Sequence, residues 1–527
     1  MTSIDSKTQS EDTDFDVLAY CIKNIPARAA KTIEWVDFET LPKVRLKDAN
    51  EYADDRIIIG YIYTIVSQNE MALPHQAVMI HETLNKENLQ ALGYELYHIW
   101  KYRGAMSKHR AVLALSAIDG DDNFVRELIK DINSWAATSR GVLAAEATRA
   151  LALQGGSLAL MTIDLYAKKF KNKQVKRAAE EALLFAAKQQ GLDVEELGDK
   201  IVPNLGFDKR GSQIIDYGNR QFCAVITLEL QIILKNDQGK VIKSLPAVSI
   251  NDDKDKATSA KANFAAMKKN LKAIISLQSL RLEQALSNNR TWTKDAWTQL
   301  FIENPIMNMF AIGLIWGVYD KNLATSFRYM EDGSFVTVDE DEFELCEDIK
   351  IGLCHPLDLG KDLTALWKQQ LEDYEVIQPV EQLSRKIFVA DKKNKADQVM
   401  DFGGAVVYAI SLWSKLQKQG WYRGSVVDAG SYFNFYKEDK KQGIGVMLYF
   451  SGSFIGADQN NEVTVYDAVF YKAGTVQYGS YVYDEVKPED RIPLASVPAR
   501  FYSEICYDID RATVNRIDTL EKWVKKW

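Results

Sequence analysis

Three alanine- and leucine-rich segments recur in the first half of the chain, each closed by a glycine. Residues 111–120 are echoed at 147–155 and 182–191, so the closing glycines, Gly120, Gly155 and Gly191, fall 35 and 36 residues apart. A glycine just past the last apolar turn can take the left-handed conformation that ends a helix. Between the copies, Phe124, Val125, Leu128, Ile129 and Ile132 recur at helical spacing. Paired helices at this period predict a HEAT-like stack over 106–210. A plain helical bundle with unrelated glycines is the alternative. Asp193-Val-Glu-Glu196 predicts a capping box opening the last helix, and Pro203 stops it. Ahead of the array, 1–14 reads as a disordered polar lead. Residues 15–105 read as a helical region with Trp35 and Trp100 in its aromatic core.

The pattern changes at Gly211. Phe222, Ala224, Ile226, Leu228, Leu230, Ile232 and Leu234 alternate with more polar neighbours, which predicts one strand with a single buried face. A turn at 236–240 would return the chain along 241–245. A long helix follows, running to about Leu286. Its buried stripe is Phe264, Met267, Leu271, Ile274, Leu282 and Leu286. Its Lys254, Lys256, Lys261, Lys268, Lys269 and Lys272 form either a basic face or an ordinary solvated surface. A further helix starts near Thr293. The apolar run 305–319, interrupted by Asn308, is shorter than the ~20 residues a membrane span requires and predicts a buried core helix. Strands are expected at 327–329 and 334–338, joined by Glu331-Asp-Gly333, with a solvated acidic loop at 339–344. Helices are expected at 363–374 and 404–417. A β-rich stretch at 421–486 holds a hairpin of 432–437 and 444–450, and Pro498 opens a final amphipathic helix. The fold class is therefore α+β: an N-terminal HEAT-like helical repeat, then a mixed α/β domain with antiparallel hairpins over 211–527.

Composition narrows the function. Hydrophobic residues make up 46% of the chain and the formal net charge is −8. Nucleic-acid domains usually carry a basic footprint, which the chain as a whole lacks. Five cysteines without paired spacing point to a reducing compartment, and the polar, acidic start lacks the pattern of a signal peptide. A cytoplasmic protein with no membrane association is expected.

The chain carries few of the patterns that mark chemistry. There is no G-x-x-x-x-G-K-S/T phosphate loop. His81-Glu82 starts a zinc-protease pattern, but Asn85 stands where the second histidine belongs. No G-x-S-x-G elbow surrounds Ser453, and 119–122 lacks the ligand order of a calcium loop. Cys346, Cys354 and His355 are the nearest approach to a metal cluster. The cysteines are eight residues apart and a fourth ligand is missing, so neither metal nor cofactor is expected. His355, in Gly352-Leu-Cys-His-Pro-Leu-Asp358, is the best single residue for acid–base work. The alternative is that its ring nitrogens cap a turn fixed by Pro356.

Several segments of the back half carry a resemblance. They are Ile215-Asp-Tyr-Gly-Asn-Arg-Gln-Phe222, Lys268-Lys-Asn-Leu-Lys272 before Arg281-Leu-Glu283, and Glu303-Asn-Pro305 with Leu314-Ile-Trp-Gly317. Phe327-Arg328 before Glu331-Asp-Gly333, His355-Pro-Leu-Asp358 and Asp373-Tyr-Glu-Val-Ile-Gln-Pro379 complete the set. In order and spacing, over about 105–510, they resemble the large domain of unknown function of bacterial MolR-like proteins. The matched positions are Asp216, Tyr217, Arg220, Trp316, Arg328, His355, Asp358, Tyr374, Gln378 and Pro379. The resemblance implies an accessory protein. Many such proteins carry a WGR module and are encoded beside MoxR-type AAA+ ATPases and von Willebrand factor A proteins. It implies no catalytic role for any matched residue. This chain shows no WGR module; Trp421-Tyr-Arg-Gly424 and Trp316-Gly-Val318 are local look-alikes.

The expected function is a non-catalytic scaffold or adaptor that binds protein partners, among them a MoxR-type AAA+ ATPase or a von Willebrand factor A protein. One alternative is an enzyme or small-ligand binder centred on the His355 loop, with Asp216, Arg220 and Gln378 in one pocket. Another is a nucleic-acid adaptor using the lysines of 254–272.

Overall fold

A computed structural model describes residues 16–33, 35–47, 49–67, 74–391, 396–439, 441–479 and 484–523. The lead expected at 1–14 lies outside them. The chain divides into two compact units, Met1–Pro203 and Asn204–Trp527.

The first unit is helical: α1 Val17–Asn24, α2 Ala29–Thr32, α3 Asp55–Val66, α4 His75–His81, α5 Lys86–Tyr102, α6 Val112–Ile118, α7 Asp122–Ala137, α8 Gly141–Gln154, α9 Ser157–Lys169, α10 Lys173–Gln189 and α11 Val194–Lys200. Helix α8 packs on both α6 and α10, while α7 and α9 pack on α8 and on each other. The three glycine-closed segments are α6, α8 and α10. Their interface is built from small side chains, including Ala144, Ala147, Ala179 and Ala182, all fully buried, with Ala150 and Leu183 also inside. Helix α7 buries Phe124, Val125, Leu128 and Ile132 of the face its spacing predicts, with Trp135 added and Ile129 half-buried. The Asp121 side chain starts that helix by accepting from the N–H groups of Asn123 and Phe124. Both halves of the Asp193–Glu196 capping box form. Trp100 is buried and meets Trp135 edge-on at 5.9 Å between ring centres.

The closing glycines split into two kinds. Gly155 and Gly191 have φ of 68° and 67°, the left-handed geometry that ends a helix. Gly120 has a different reason to be glycine. A Cβ there would sit 2.6 Å from the Phe124 ring and 2.9 Å from the Ser116 carbonyl, so the position serves close packing.

The second unit opens with an antiparallel meander of β1 Ser212–Asp216, β2 Gln221–Ile226, β3 Ile232–Lys235 and β4 Val241–Ile242. This corrects the single strand expected through Leu234. The chain reverses at 227–231, where the Thr227 N–H bonds the Gln231 carbonyl and Leu230 takes φ 58°. Ile226 faces Ile232 and Ala224 faces Leu234, so the reversal keeps the same alternate residues in step and leaves period two unbroken in the sequence. The expected turn at 236–240 does join β3 to β4.

Helix α12 Lys254–Ser287 comes next and buries all six residues of its expected stripe. Then follow β5 Thr291–Thr293, α13 Lys294–Trp297, α14 Pro305–Ile312, β6 Ile315–Tyr319, β7 Leu323–Tyr329, β8 Phe335–Val336, β9 Lys350–Leu353 and α15 Pro356–Asp373. The strands form an antiparallel sheet in the order β5-β9-β6-β7-β8. The run 305–319 is thus half helix and half central strand, not one core helix. Both halves are buried on nearly every side, with only Met309 and Val318 half-buried, so apolarity carries no period to tell them apart. Gly313 makes the break, and Pro379 packs so closely there that a Cβ would meet it at 2.7 Å.

A third sheet gathers β10 Gln398–Val399, β11 Ala405–Tyr408, β12 Tyr422–Arg423, β13 Ser431–Asp439, β14 Ile444–Phe454, β15 Glu462–Lys472, β16 Arg491–Ile492 and β17 Asp518–Thr519. The expected hairpin is β13–β14. Residues 404–417 are not one helix: β11 comes first, then α16 Ala409–Lys418. Helix α17 Ala499–Thr513 follows Pro498 and is buried along nearly its whole length. The fold is α+β. Among the described residues no helix is long and apolar enough to cross a membrane.

Candidate functional site

The His355 loop is the junction between β9 and α15. His355 is fully buried and caps α15: its Nδ1 accepts from the Leu357 N–H at 3.0 Å. An accepting Nδ1 places the proton of the neutral ring on Nε2, which stands 3.1 Å from Oε1 of Glu504 on α17. Burial pushes the imidazole below its ordinary range, against the pull of Glu504. Burial also works to raise the Glu504 carboxyl, but bonding from His355 and the charge of Arg385 outweigh it and hold it low. Arg385 donates to the other Glu504 oxygen at 2.5 Å and also pairs with Glu283. One helical turn before Glu504, Arg500 pairs with Asp358, reaches the Tyr319 hydroxyl at 3.2 Å and donates to the Leu286 carbonyl at 3.1 Å. Two charges on one face of α17 therefore clasp two residues at the start of α15. One turn after Glu504, Asp508 accepts from Lys437 Nζ at 2.8 Å and Trp421 Nε1 at 2.9 Å.

The other candidate residues fall in separate places. Asp216, Tyr217 and Arg220 form the β1–β2 turn. Asp216 accepts from the Gly218 N–H, Tyr217 is buried, and Arg220 grips Asp252 with Nε and Nη2 at 2.9 and 2.5 Å. The adjacent Asp253 caps α12, so this turn anchors the start of that helix. Trp316 donates to the Ala311 carbonyl and packs among Trp292, Trp297 and Phe301. Gln378 bonds the Gly313 carbonyl, Gln382 and the Leu383 N–H. Arg328, 2% exposed, lies against the Tyr374 ring with its guanidinium carbon 4.8 Å from the ring centre. Arg220, Gln378 and His355 thus each have their own partners. Cys346 is exposed and Cys354 buried. Among the described residues, no three His, Cys, Asp or Glu side chains are placed to hold a metal ion.

Sequence reading missed Glu504, Arg385, Arg500 and Gln382. Gln382 is fully buried and satisfies three main-chain groups, the Ile315 N–H and the carbonyls of Ile315 and Cys354. Arg500, Glu504 and Asp508 recur every four residues, a pattern that reads as a solvated stripe. Their burial depends on Asp358, His355 and Lys437, which are remote in sequence.

Residues 239–421 match the model of a family described as a domain of unknown function, DUF4132. That stretch includes Trp316, Arg328, His355, Asp358, Tyr374 and Gln378, while Asp216, Tyr217 and Arg220 precede it. A protein of Escherichia coli (strain K12), described as "Uncharacterized protein YehI", is 29% identical over 374 residues, which cover 67% of this chain. The chain spans 31% of that relative's length. No solved structure matches.

Proposed function

We propose that the chain is a non-catalytic scaffold that binds protein partners through its helical unit. The observation that supports this best is the packing of α6, α8 and α10 side by side, with α7 and α9 laid against them. Read as a HEAT-like stack, such an array offers extended surface built on shared cores. Ahead of that array, a groove of about 460 Å³ is lined by Pro42, by Glu87, Tyr94 and Glu95 of α5, and by Asp121 at the start of α7. Three carboxylates and an exposed aromatic ring suit a basic, partly apolar segment of a partner. The order of the MolR-like motifs supports an accessory role in the cytoplasm beside a MoxR-type AAA+ ATPase or a von Willebrand factor A protein. The test is affinity capture from a host carrying the neighbouring genes, with Glu87→Lys and Glu95→Lys as controls. The scaffold reading expects the wild type to retain such an ATPase or its partner and the double variant to lose it.

A second reading, a nucleic-acid adaptor, draws on α12. Lys254, Lys268, Lys269 and Lys272 are exposed, and between Lys256 and Lys272 the helix carries no acid. A loss of nucleic-acid binding steeper than the loss of protein capture, on reversing these lysines, would favour it.

A further inference from the structure

Helix α12 carries a line of cations that folding alone disfavours. Lys254, Lys261, Lys268, Lys269 and Lys272 fall within an arc of about 100° around the helix, beside its buried stripe. Lys261 is half-buried and the other four are exposed. At ~1.5 Å per residue the line runs for about 27 Å. Thr258, Ala262 and Ala265 lie along the same side, exposed and small, and leave the ammonium groups clear of bulky neighbours on the helix.

An ordinary solvated helix face mixes signs, because Glu and Lys one turn apart support the helix. Here 257–280 contains no acid. Among the described residues Lys256 pairs with Asp216 at 3.8 Å, and none of the five lysines in the line forms an ion pair. Lys268 rests over the Phe264 ring at 4.8 Å, which steadies its stem without cancelling its charge. Lys268 and Lys272 repel each other one turn apart. Lys254 lies in the first turn, where the helix dipole already places positive charge. These penalties are met in a chain whose net charge is −8, so the cations are gathered here against the overall balance. Unpaired cations concentrated on one face complement a polyanion.

The side chains around the line choose among polyanions. Single strands are held by aromatic rings that stack on bases, and the one ring on α12, Phe264, is buried. An anionic membrane takes up large apolar side chains beside the lysines, and none of the exposed large hydrophobics lies on α12. Duplex RNA is recognised largely through its 2′-hydroxyls, for which lysine has no acceptor. Bidentate reading of bases favours planar forks such as Arg, Asn and Gln, whereas lysine meets phosphate as a point charge. Resting on the second reading above, we propose that the α12 lysines grip the phosphate backbone of duplex DNA without reading its sequence.

The test is fluorescence-anisotropy titration of the full chain over a series of salt concentrations. The probes are two DNA duplexes of unrelated sequence, an RNA duplex and a DNA single strand. The two DNA duplexes should bind alike, within about threefold, and the RNA duplex and single strand at least about fivefold more weakly. Each phosphate contact adds about −0.9 to the slope of log affinity against log salt, so five contacts predict a slope of about −4.5. Joint Lys268→Gln and Lys272→Gln substitution should flatten that slope by about 1.8 and weaken duplex binding about tenfold at low salt, with the unfolding temperature unchanged. Equal or tighter binding of the RNA duplex or single strand, lost in the variant, overturns duplex DNA as the partner and leaves the nucleic-acid reading standing. A tenfold preference between the DNA duplexes overturns binding without sequence readout. Duplex binding that the variant leaves unchanged places the contact elsewhere and overturns the assignment to α12. No saturable binding of any probe overturns both this assignment and the nucleic-acid reading.

Discussion

Nε2 of His355 lies 3.1 Å from Oε1 of Glu504, and the two side chains are closed off from solvent although 149 residues separate them. The contact ties α15 to α17, and Arg385 secures Glu504 from its other oxygen. Breaking a buried pair by removing one member leaves the other uncompensated. Glu504→Leu is expected to lower stability by about 3–5 kcal/mol in urea unfolding. A change below about 1 kcal/mol, within the range of surface pairs, would mean the network is solvated.

The same network sets a pH dependence. Burial holds His355 below its usual value of 6.5, so the unfolded chain takes up that proton first. Its contribution to stability is complete above about pH 6.5 and is lost as pH falls toward the depressed folded value. Glu504 acts the same way lower down, present above the usual 4.5 and lost as pH falls through its lowered folded value. Glu283 and Asp508, raised by burial, act in the opposite sense and lose their contribution as pH rises. His355→Asn keeps an acceptor for the Leu357 N–H and does not titrate. Urea midpoints from pH 7.5 to 5 should fall less steeply below 6.5 in this variant than in the wild type; equal slopes would exclude His355 as the source.

Leu183 is 3% exposed within the alanine-rich layer of α8 and α10. Leu183→Ala should cost ~2–5 kcal/mol, because a close-packed layer collapses only partly around the space left. Unchanged thermal unfolding would show that this face of α10 is not packed.

The glycines at the helix ends should respond for different reasons. Gly120→Ala forces a methyl against Phe124 and the Ser116 carbonyl and should cost ~1–3 kcal/mol through overpacking. Gly191→Ala meets open space but must hold φ near 67°, and should cost ~1–2 kcal/mol from backbone strain alone. Shortening Phe124 to Leu should relieve the first and leave the second unchanged.

The parts of this fold legible in the sequence are those whose cause is local. The Asp193–Glu196 cap, the buried stripes of α7 and α12 and the β13–β14 hairpin each follow from residues a few positions apart. The reversal at 227–231 was hidden because Leu230 accepts a left-handed backbone where glycine or asparagine is the usual signal, and the register preserves the alternation. The strand within 305–319 was hidden because full burial erases periodicity. At the site, His355 and Arg328 stood out as residue types, but their partners lie on α17 and α15. Charges at four-residue spacing on a helix do not announce whether they meet water or Asp358 and His355.

The scaffold reading is tested most directly by the affinity of the purified full chain for an ATPase or von Willebrand factor A partner recovered by capture. Titration of the wild type and of the Glu87→Lys, Glu95→Lys variant should give saturable one-site binding for the first. The second should bind at least tenfold more weakly, with both proteins unfolding at similar temperatures. Equal affinities, or no saturable binding by the wild type, would contradict a scaffold acting through the helical unit.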